Sequence, residues 1–294
     1  MQNLRVNITE ISGQVIIKPL HEIAENLERD GDGVWRTDIH EEISYPLDGH
    51  DILFGIEDNS FWFRHRNTCI IEIMTHYPPG EFILDIGGGN GFVSKGIQDQ
   101  GYDVVLLEPG IEGIWNAKKR GVINIIHGTL ESVNFMKQSI PSIGLFDVLE
   151  HIQDDISFLK QIHQLLKDNG RLYITVPAYN FLFSSEDKHA GHFRRYTRKE
   201  LCRKLRSAGY CIEYDSYFFH FLPFCIVLFR IIPDYLGKKE KNVNDVKRAH
   251  ENKKGIAGSI MNGLLHWELN MIRKKRRIPF GGSCLIVASK TSAR

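Results

Sequence analysis

A glycine-dense turn at the end of an apolar run constrains the fold of this chain more than any other feature. Residues 82–86 predict a buried strand, and the chain continues as D-I-G-G-G-N-G from Asp85 to Gly91. Glycines in such a turn let the backbone adopt unusual dihedral angles and let a ligand approach the main chain. A helix is predicted directly afterwards, over residues 91–100. The segment therefore predicts a strand, a ligand-binding turn and a helix in succession.

The alternation of strand and helix continues after this turn. Five predicted strands are nearly continuous apolar runs, which is typical of a parallel sheet covered by helices on both faces, and two further strands complete the sheet. The predicted strands are residues 82–86, 104–108, 124–127, 143–149, 171–176, 211–217 and 283–290. The predicted helices are residues 61–77, 91–100, 111–119, 130–138, 154–168 and 256–273. An α/β fold with a doubly wound sheet follows from this order.

Composition divides the chain around a predicted core at residues 61–217. Residues 1–60 are acidic and rich in turns, so they are predicted to form a cap or extension. Residues 218–280 hold apolar residues, a charged linker and an amphipathic helix, which predicts an inserted lid, and residues 281–294 supply the final strand and tail. The apolar run at 217–232 is shorter than the roughly 20 residues of a membrane-spanning helix. No transmembrane segment is predicted.

Charge and cysteine content narrow the class of protein. The chain carries 37 Lys and Arg against 36 Asp and Glu, which does not favour nucleic-acid binding. Residues 1–60 hold four basic and 13 acidic side chains, whereas residues 231–294 hold 14 and five. This uneven distribution of charge is compatible with weak contact between the basic end and a membrane surface, or with attraction between the two ends of the chain. The five cysteines form no C-x-x-C pair and the start resembles no signal peptide, so a cytoplasmic protein is predicted.

Acidic residues at two strand ends indicate the charge of the ligand. The dinucleotide pattern G-x-G-x-x-G fails, because Phe92 stands at the third glycine position counted from Gly87. Asp85 beside the turn disfavours a pyrophosphate and favours a ligand with an ammonium or sulfonium group. Glu108 ends the second strand, where a carboxylate can accept hydrogen bonds from ribose hydroxyls. The residues favour a cationic adenosine ligand, with a nicotinamide-dependent oxidoreductase as the alternative.

Four motifs in this order resemble the class I S-adenosylmethionine-dependent methyltransferases, in particular the type 11 and ubiquinone-biosynthesis O-methyltransferase-like group. They are D-I-G-G-G-N-G at 85–91, Glu108, F-D-V-L-E-H-I at 146–152 and L-L-K-D-N-G-R-L-Y-I-T-V-P at 165–177. A second likeness, to bacterial methyltransferases, lies in F-W-F-x-x-R-N at 61–67 and G-H-x-R-R-Y-T at 191–197. The resemblance implies a Rossmann-like, doubly wound seven-stranded sheet, mostly parallel with one antiparallel strand. It also implies an N-terminal extension and a helical insertion before the last strand.

The resemblance assigns candidate residues for the cofactor, S-adenosyl-L-methionine, whose product would be S-adenosyl-L-homocysteine. Most of these residues are expected at the carboxyl edge of the sheet. Two others lie on the first core helix, from which they would close over the ligand. The candidates are Asp85, Gly87, Gly88, Gly89, Gly91, Glu108, Pro109, Gly128, Thr129, Leu130, Asp147 and Val148, with Trp62 and Arg66 on the helix. Many members have Asp at the position of Thr129, where it bonds the adenine amine. This chain departs from the pattern there.

The residues after the fourth core strand indicate how a methyl acceptor is activated. A neutral histidine can take a hydroxyl proton near pH 7, so His151 is the candidate general base and Glu150 its orienting partner. Capping of the following helix is the alternative role for both. Methyl transfer from a sulfonium is an in-line displacement, in which the protein aligns the groups and excludes water. O-methylation of a small-molecule acceptor is predicted.

A polar segment after the fifth core strand supplies the candidate acceptor residues. They are His189, His192, Arg195 and Tyr196. Arginine there would pair with a carboxylate or phosphate, or tie the loop to the sheet. Asp187, His189 and His192 lack a recognised ligand spacing, so no metal site is predicted. The apolar lid favours a lipid-linked or aromatic acceptor, no nucleic acid is expected, and a non-catalytic adenosyl-binding protein is the remaining alternative.

Overall fold

A single mixed sheet lies at the centre of the computed structural model, which describes residues 20–37, 49–235 and 255–291 of the 294. Within these residues the strands are β1 (Glu28–Arg29), β2 (Trp35–Arg36), β3 (Ile83–Ile86), β4 (Val104–Glu108), β5 (Asn124–His127), β6 (Ile140–Phe146), β7 (Leu166–Pro177), β8 (Tyr210–Phe218) and β9 (Ser283–Lys290). Their order across the sheet is β1-β2-β5-β4-β3-β6-β7-β9-β8.

Strand β3 determines where the site lies. It is parallel to β4 on one side and to β6 on the other, with Asp85 opposite Leu106 and Gly144. The chain first builds outward from β3 through β4 and β5, then crosses to β6 on the opposite side. The topological switch point is therefore at the carboxyl end of β3, where open α/β sheets bind their ligands.

Helices cover both faces of the sheet. They are α1 (Gly49–Glu57), α2 (Phe61–His76), α3 (Phe92–Gln98), α4 (Ile111–Arg120), α5 (Asp155–Leu165), α6 (Ser185–His189), α7 (Arg198–Ser207), α8 (Leu222–Ile226), α9 (Ile232–Tyr235) and α10 (Gly255–Arg273). A π-helical turn, Val227–Ile231, joins α8 to α9. Buried side chains of α5 and α7 form one core on the sheet, whereas α2, α3 and α10 contribute to a second core.

The predicted sheet is confirmed, with two additional strands. The seven predicted strands are all present, and β9 is the one that runs antiparallel to its neighbours β7 and β8. The additional strands β1 and β2 come from residues 28–36, and β2 pairs in parallel with β5. Each has only two residues, which is too short to leave a periodic pattern in the sequence.

The helix predicted over residues 130–138 is wrong. The segment forms turns instead, since the Thr129 N–H donates to Ser132 Oγ and the Ser132 N–H donates back to Thr129 Oγ1. Local hydrogen bonds of this kind compete with a helix. Phe135 then makes an antiparallel bridge to Ala24 of the N-terminal segment. The chain upstream of the core thus takes the place where a covering helix was predicted.

The predicted end of the helix at residue 168 is also wrong. Helix α5 ends at Leu165 and β7 begins at the next residue. The residues Asp168-Asn169-Gly170 lie inside this strand, where Asn169 has a positive φ of 62° and the register with β6 shifts. Turn-forming residues here mark an irregularity within a strand rather than the stop of a helix.

The insertion between β8 and β9 is helical, as the fold prediction stated. Helices α8, α9 and α10 follow β8, and α10 packs against α2 on one face of the sheet. Among the described residues, none of the helices combines the length and the apolar content that a bilayer crossing needs.

Candidate cofactor and acceptor site

The turn after β3 is built from backbone groups. Gly87, Gly89 and Gly91 have φ values of 67°, 54° and 73°, a region that favours glycine. The Gly87 N–H donates to Leu107 O at 2.8 Å, which holds the turn against β4. At Gly88 an added Cβ would lie 3.0 Å from Asp85 Oδ2. A side chain at this position would therefore cover the carboxylate at the strand end.

Two buried carboxylates flank this turn. Asp85 Oδ2 accepts a hydrogen bond from Ser94 Oγ at 2.6 Å, while Glu108 accepts from the N–H groups of Gly89 at 2.8 Å and Gly110 at 2.7 Å. Burial raises the pKa of Asp85 to about 6 and that of Glu108 to about 7. The ionised forms are therefore costly here, and a cationic or hydrogen-bond-donating ligand would stabilise them.

Arg66 of α2 lies between several acidic groups of the site. It is buried, forms an ion pair with Asp147 at the end of β6, and lowers the pKa values of Asp85 and Glu150 against the larger effect of burial. Its guanidinium carbon stands 4.7 Å from the centre of the Trp62 ring. Among the residues that the structure describes, the buried Arg66 Nε has no hydrogen-bond partner. A buried donor left unpaired is costly, so this atom offers a ready hydrogen bond to a ligand.

Asp147 and Val148 lie where the sequence placed them, at the carboxyl end of β6. Asp147 has a positive φ of 59°, an uncommon conformation for a residue other than glycine. Its Oδ1 accepts a hydrogen bond from Thr175 Oγ1 of β7 at 3.3 Å. A Cβ at Gly87 would lie 3.0 Å from Val148, so the segment after β6 packs against the glycine turn. The two strand ends form one continuous cleft wall.

The segment assigned to adenine lies beside the end of β4. The Gly128 N–H donates to Glu108 O at 3.1 Å, and the Pro109 carbonyl accepts from His127 Nε2 at 3.0 Å. The Thr129 N–H is bonded to Ser132 Oγ, and the Leu130 side chain is buried in the core. These contacts fix the backbone of this segment next to the ribose candidate.

Glu150 and His151, which follow β6, form a compact group with His192 of the loop after β7. Their ligand atoms all lie within 4.8 Å of one another, which is close enough to hold a divalent cation. Among the described residues, this is the one group of three or more acidic, histidine or cysteine side chains that lie so close together. Burial, together with the charge of Asp147, raises the pKa of Glu150 well above its ordinary value. Burial and His192 lower the pKa of His151 to about 4. His151 is therefore neutral at pH 7.

The polar loop after β7 is held together by a buried ion pair. Asp187 accepts hydrogen bonds from Arg195 Nε at 2.7 Å, Arg195 Nη2 at 2.9 Å and His192 Nδ1 at 2.9 Å. Despite the opposing effect of burial, these hydrogen bonds hold the pKa of Asp187 far below its ordinary value. His151 and His192 meet edge to face, with ring centres 4.7 Å apart. The ion pair thus orients His192 against the candidate base.

The remaining acceptor candidates have different surroundings. Tyr196 is fully buried, and its hydroxyl bonds to Leu149 O at 3.2 Å and Asp155 Oδ2 at 2.8 Å. His189 is exposed at the end of α6. The structure brings His192 directly against His151, whereas Arg195 pairs with Asp187 and the Tyr196 hydroxyl is occupied by its contacts beneath the turn that carries Glu150.

Comparison with known proteins identifies the fold and the chemistry together. Residues 63–214, just over half of the chain, match a family model described as a methyltransferase domain. The chain belongs to this methyltransferase family. It is an enzyme that depends on S-adenosylmethionine, and the family match decides against the nicotinamide alternative.

Relatives of this methyltransferase are distant. A Mycolicibacterium smegmatis protein, whose assigned name is that of an S-adenosylmethionine-dependent methyltransferase, is 25% identical over 178 residues, which cover 60% of this chain and 69% of the relative. The mitochondrial ubiquinone biosynthesis O-methyltransferase of Schizosaccharomyces pombe is 30% identical over 121 residues. That match covers 38% of this chain and 40% of the relative.

Solved structures share the fold of the methyltransferase at low identity. One is the methyltransferase bound to the Trm112 activator of Haloferax volcanii, with a TM-score of 0.54, 17% identity, and coverage of 84% of this chain and 95% of that one. Another is phosphoethanolamine N-methyltransferase 2 of Haemonchus contortus in complex with S-adenosyl-L-methionine. It has a TM-score of 0.54, 15% identity, and coverage of 85% and 59% of the two chains.

Sequence reasoning missed several residues that hold the site of the methyltransferase together. Asn90, inside the glycine turn, bonds to Glu57 at 3.3 Å, and Glu57 in turn pairs with Arg120 at 2.8 Å. Ser94 supports Asp85, and its position near the start of α3 is the signal that could have indicated it. The partners Glu57 and Arg120 are far apart in sequence, so no local pattern marks them.

A second network joins the insertion to the cofactor side of the methyltransferase. Glu268 of α10 is completely buried, and its carboxylate accepts from His65 Nε2 at 2.9 Å, the Phe219 N–H at 2.9 Å and His220 Nδ1 at 2.5 Å. Burial alone would raise the pKa of Glu268, but these hydrogen bonds outweigh it and lower the pKa. Phe219 stacks on Trp62 with ring centres 5.7 Å apart. The insertion therefore supports the helix that carries Arg66.

Proposed function

We propose that this methyltransferase methylates a hydroxyl group of a small-molecule acceptor, with His151 as the general base. The observation that carries the proposal is the half-buried, neutral His151, which follows the carboxyl end of β6 and lies near Asp147. A neutral imidazole accepts a proton, whereas an imidazolium cannot. An aliphatic or aromatic hydroxyl is the acceptor group that needs such a base, and a lipid-linked or aromatic molecule fits the predicted lid.

The cofactor is proposed to lie along the glycine turn, with its methyl group directed toward the group formed by Glu150, His151 and His192. When bound, S-adenosylmethionine supplies a methyl group activated by a positively charged sulfur. Asp85 and the turn would hold its amino acid part, Glu108 would accept from the ribose, and Arg66 Nε would donate to its carboxylate. The fit rests on charge: Asp85 and Glu108 are ionised only at a cost, and a positive ligand offsets this cost.

His151 has a pKa that suits a concerted proton transfer. The hydroxyl proton becomes strongly acidic as the oxygen forms its bond to the methyl group, so a base with a pKa of about 4 is strong enough. Glu150 lies on the same turn, and its main-chain carbonyl accepts from the Phe193 N–H at 2.8 Å. This contact joins the turn to the polar loop after β7, which would hold the acceptor and exclude water.

The proposal is tested with His151→Ala and with a control, His163→Ala. His163 lies on α5 and contacts Gly209 O, away from the cleft. Removal of the base is expected to lower turnover by about 10²–10⁴ on a panel of phenols and catechols, with unchanged affinity for S-adenosylhomocysteine. His163→Ala is expected to retain turnover.

Product analysis distinguishes the reaction type. Transfer from a ¹³C-labelled methyl group gives different NMR shifts for methyl groups on oxygen, nitrogen and carbon. Products methylated on oxygen support the proposal. Products on nitrogen or carbon alone, or a His151→Ala variant with normal turnover, would contradict it.

A further inference from the structure

The segment from Leu222 to Tyr235 exposes large apolar side chains. We call these five residues the apolar face: Phe224 (65% exposed), Leu228 (57%), Phe229 (66%), Ile232 (43%) and Tyr235 (91%). Apart from the adjacent pair Leu228 and Phe229, they recur every three or four residues, which places them on one side of α8, the π-helical turn and α9. Within the part of the chain that the structure describes, they form the densest run of exposed large apolar residues.

The opposite side of the same segment already packs on the protein. Pro223 and Ile226 are buried, and the side chain of Leu222 lies 3.1 Å from where a Cβ at Gly282 would stand. Arg230 forms an ion pair with Glu186 of α6 at 2.8 Å. The segment is therefore docked through one side, and the apolar face is what remains outside. A surface helix normally presents polar residues there.

A row of aromatic rings connects the apolar face to the acceptor edge of the sheet. The ring of Phe224 is 5.9 Å from that of Phe280, which is 5.1 Å from Tyr179, which is 5.2 Å from Phe181. Tyr179 lies two residues beyond the carboxyl end of β7, and Phe181 is 61% exposed. The exposed apolar surface thus continues to the edge where the cleft opens.

We propose that the apolar face lies on an anionic lipid bilayer. The 19 residues after Tyr235 contain seven Lys or Arg against three Asp or Glu, so positive charge adjoins the apolar surface in the chain. Apolar and aromatic side chains that enter the headgroup region, with basic residues next to them, are the combination that binds such membranes from one side.

Docking in this way turns the acceptor edge of the sheet toward the lipid. The aromatic row would then border the path between the bilayer and the cleft. A hydroxyl carried on a lipid or a lipid-soluble ring could reach His151 without crossing water; this last consequence rests on the proposed function, whereas the docking itself does not.

Vesicle flotation of the full chain tests the docking without cofactor or acceptor. The purified protein is floated with phosphatidylcholine vesicles that contain or lack phosphatidylglycerol, and then with added sodium chloride. The double variant Phe224→Glu, Phe229→Glu is compared with Ile123→Glu, which changes an exposed apolar residue at the start of β5, away from the face. Affinity for S-adenosylhomocysteine confirms that each variant is folded.

The expected result is binding to the anionic vesicles that weakens with salt. The double variant should lower the partition coefficient by about 10- to 100-fold, and Ile123→Glu should leave it unchanged. Absence of wild-type flotation, or equal flotation of the double variant, would overturn the proposal. Light scattering provides a second way to overturn it. If the wild-type protein formed a dimer that did not bind vesicles, and the double variant were a monomer, the apolar face would be covered by a second copy of the chain. A failure of O-methylation would leave all of these results unaffected.

Discussion

The glycine turn after β3 and the polar loop after β7 hold their buried carboxylates in opposite ways. Asp85 and Glu108 are held by a hydroxyl and by backbone N–H groups, and burial raises their pKa values. Asp187 is held by Arg195 and His192, and its pKa is lowered. The first pair of carboxylates still needs positive charge from a ligand. The third is neutralised within the protein, so it serves the structure of the loop.

The largest expected effect is the loss of stability when the ion pair between Asp187 and Arg195 is broken. Asp187→Asn leaves Arg195 buried without its counter-charge, which costs about 3–5 kcal/mol of unfolding free energy. The melting temperature should fall by about 10 °C in a thermal unfolding experiment. Asp168→Asn, on an exposed carboxylate of β7, is the control. If the two variants melted alike, Asp187 would not be the anchor of this loop.

The next effect separates binding from stability on the cofactor side. Asp85→Asn removes a costly buried charge, so the unfolding free energy should stay level or rise. The affinity for S-adenosylmethionine in calorimetry should fall by about 10- to 100-fold, because a charge-assisted contact is lost. Asp99→Asn, on an exposed residue just after α3, should change neither quantity. Unchanged affinity in the Asp85 variant would mean that the glycine turn does not face the cofactor.

The smallest effect is a pH dependence with opposite signs for stability and binding. Asp85 and Glu108 have folded pKa values of about 6 and 7, above those of the unfolded chain, so the folded protein takes up their protons first. Their contribution to stability is fully present below about pH 4 and is lost as the pH rises toward 7. Binding needs ionised Asp85, so affinity should fall about tenfold per pH unit below pH 6. Calorimetry at several pH values would measure the unfolding free energy and the affinity for S-adenosylmethionine. If both quantities changed in the same direction with pH, the prediction would be refuted.

Local sequence predicted the cofactor side because its parts are contiguous. The strand, the glycine turn and the start of α3 occupy residues 83–98, and each carries its own signal. Glu108 could be placed because β4 follows at a regular distance and parallel strands end at one edge. The assignments of individual residues to cofactor atoms stay predictions.

The contacts that join the separate parts of the site depend on pairs of residues that are far apart in the chain. Arg66 meets Asp147 across 81 positions, and His65 meets Glu268 across 203. Neither contact leaves a pattern in a window of neighbouring residues. The polar loop was singled out by composition, but which of its side chains neutralise one another follows from packing. Tyr196 illustrates this, since no local pattern indicates that its hydroxyl is buried against Asp155.

The position of β9 has a consequence for synthesis. This strand lies between β7 and β8, yet residues 283–290 leave the ribosome after both of its neighbours. The growing chain therefore carries β7 and β8 with open edges until residues 283–290 emerge, and open edges invite pairing with other chains. A ribosome that stalls before residue 283 would release a protein with a gap in its sheet.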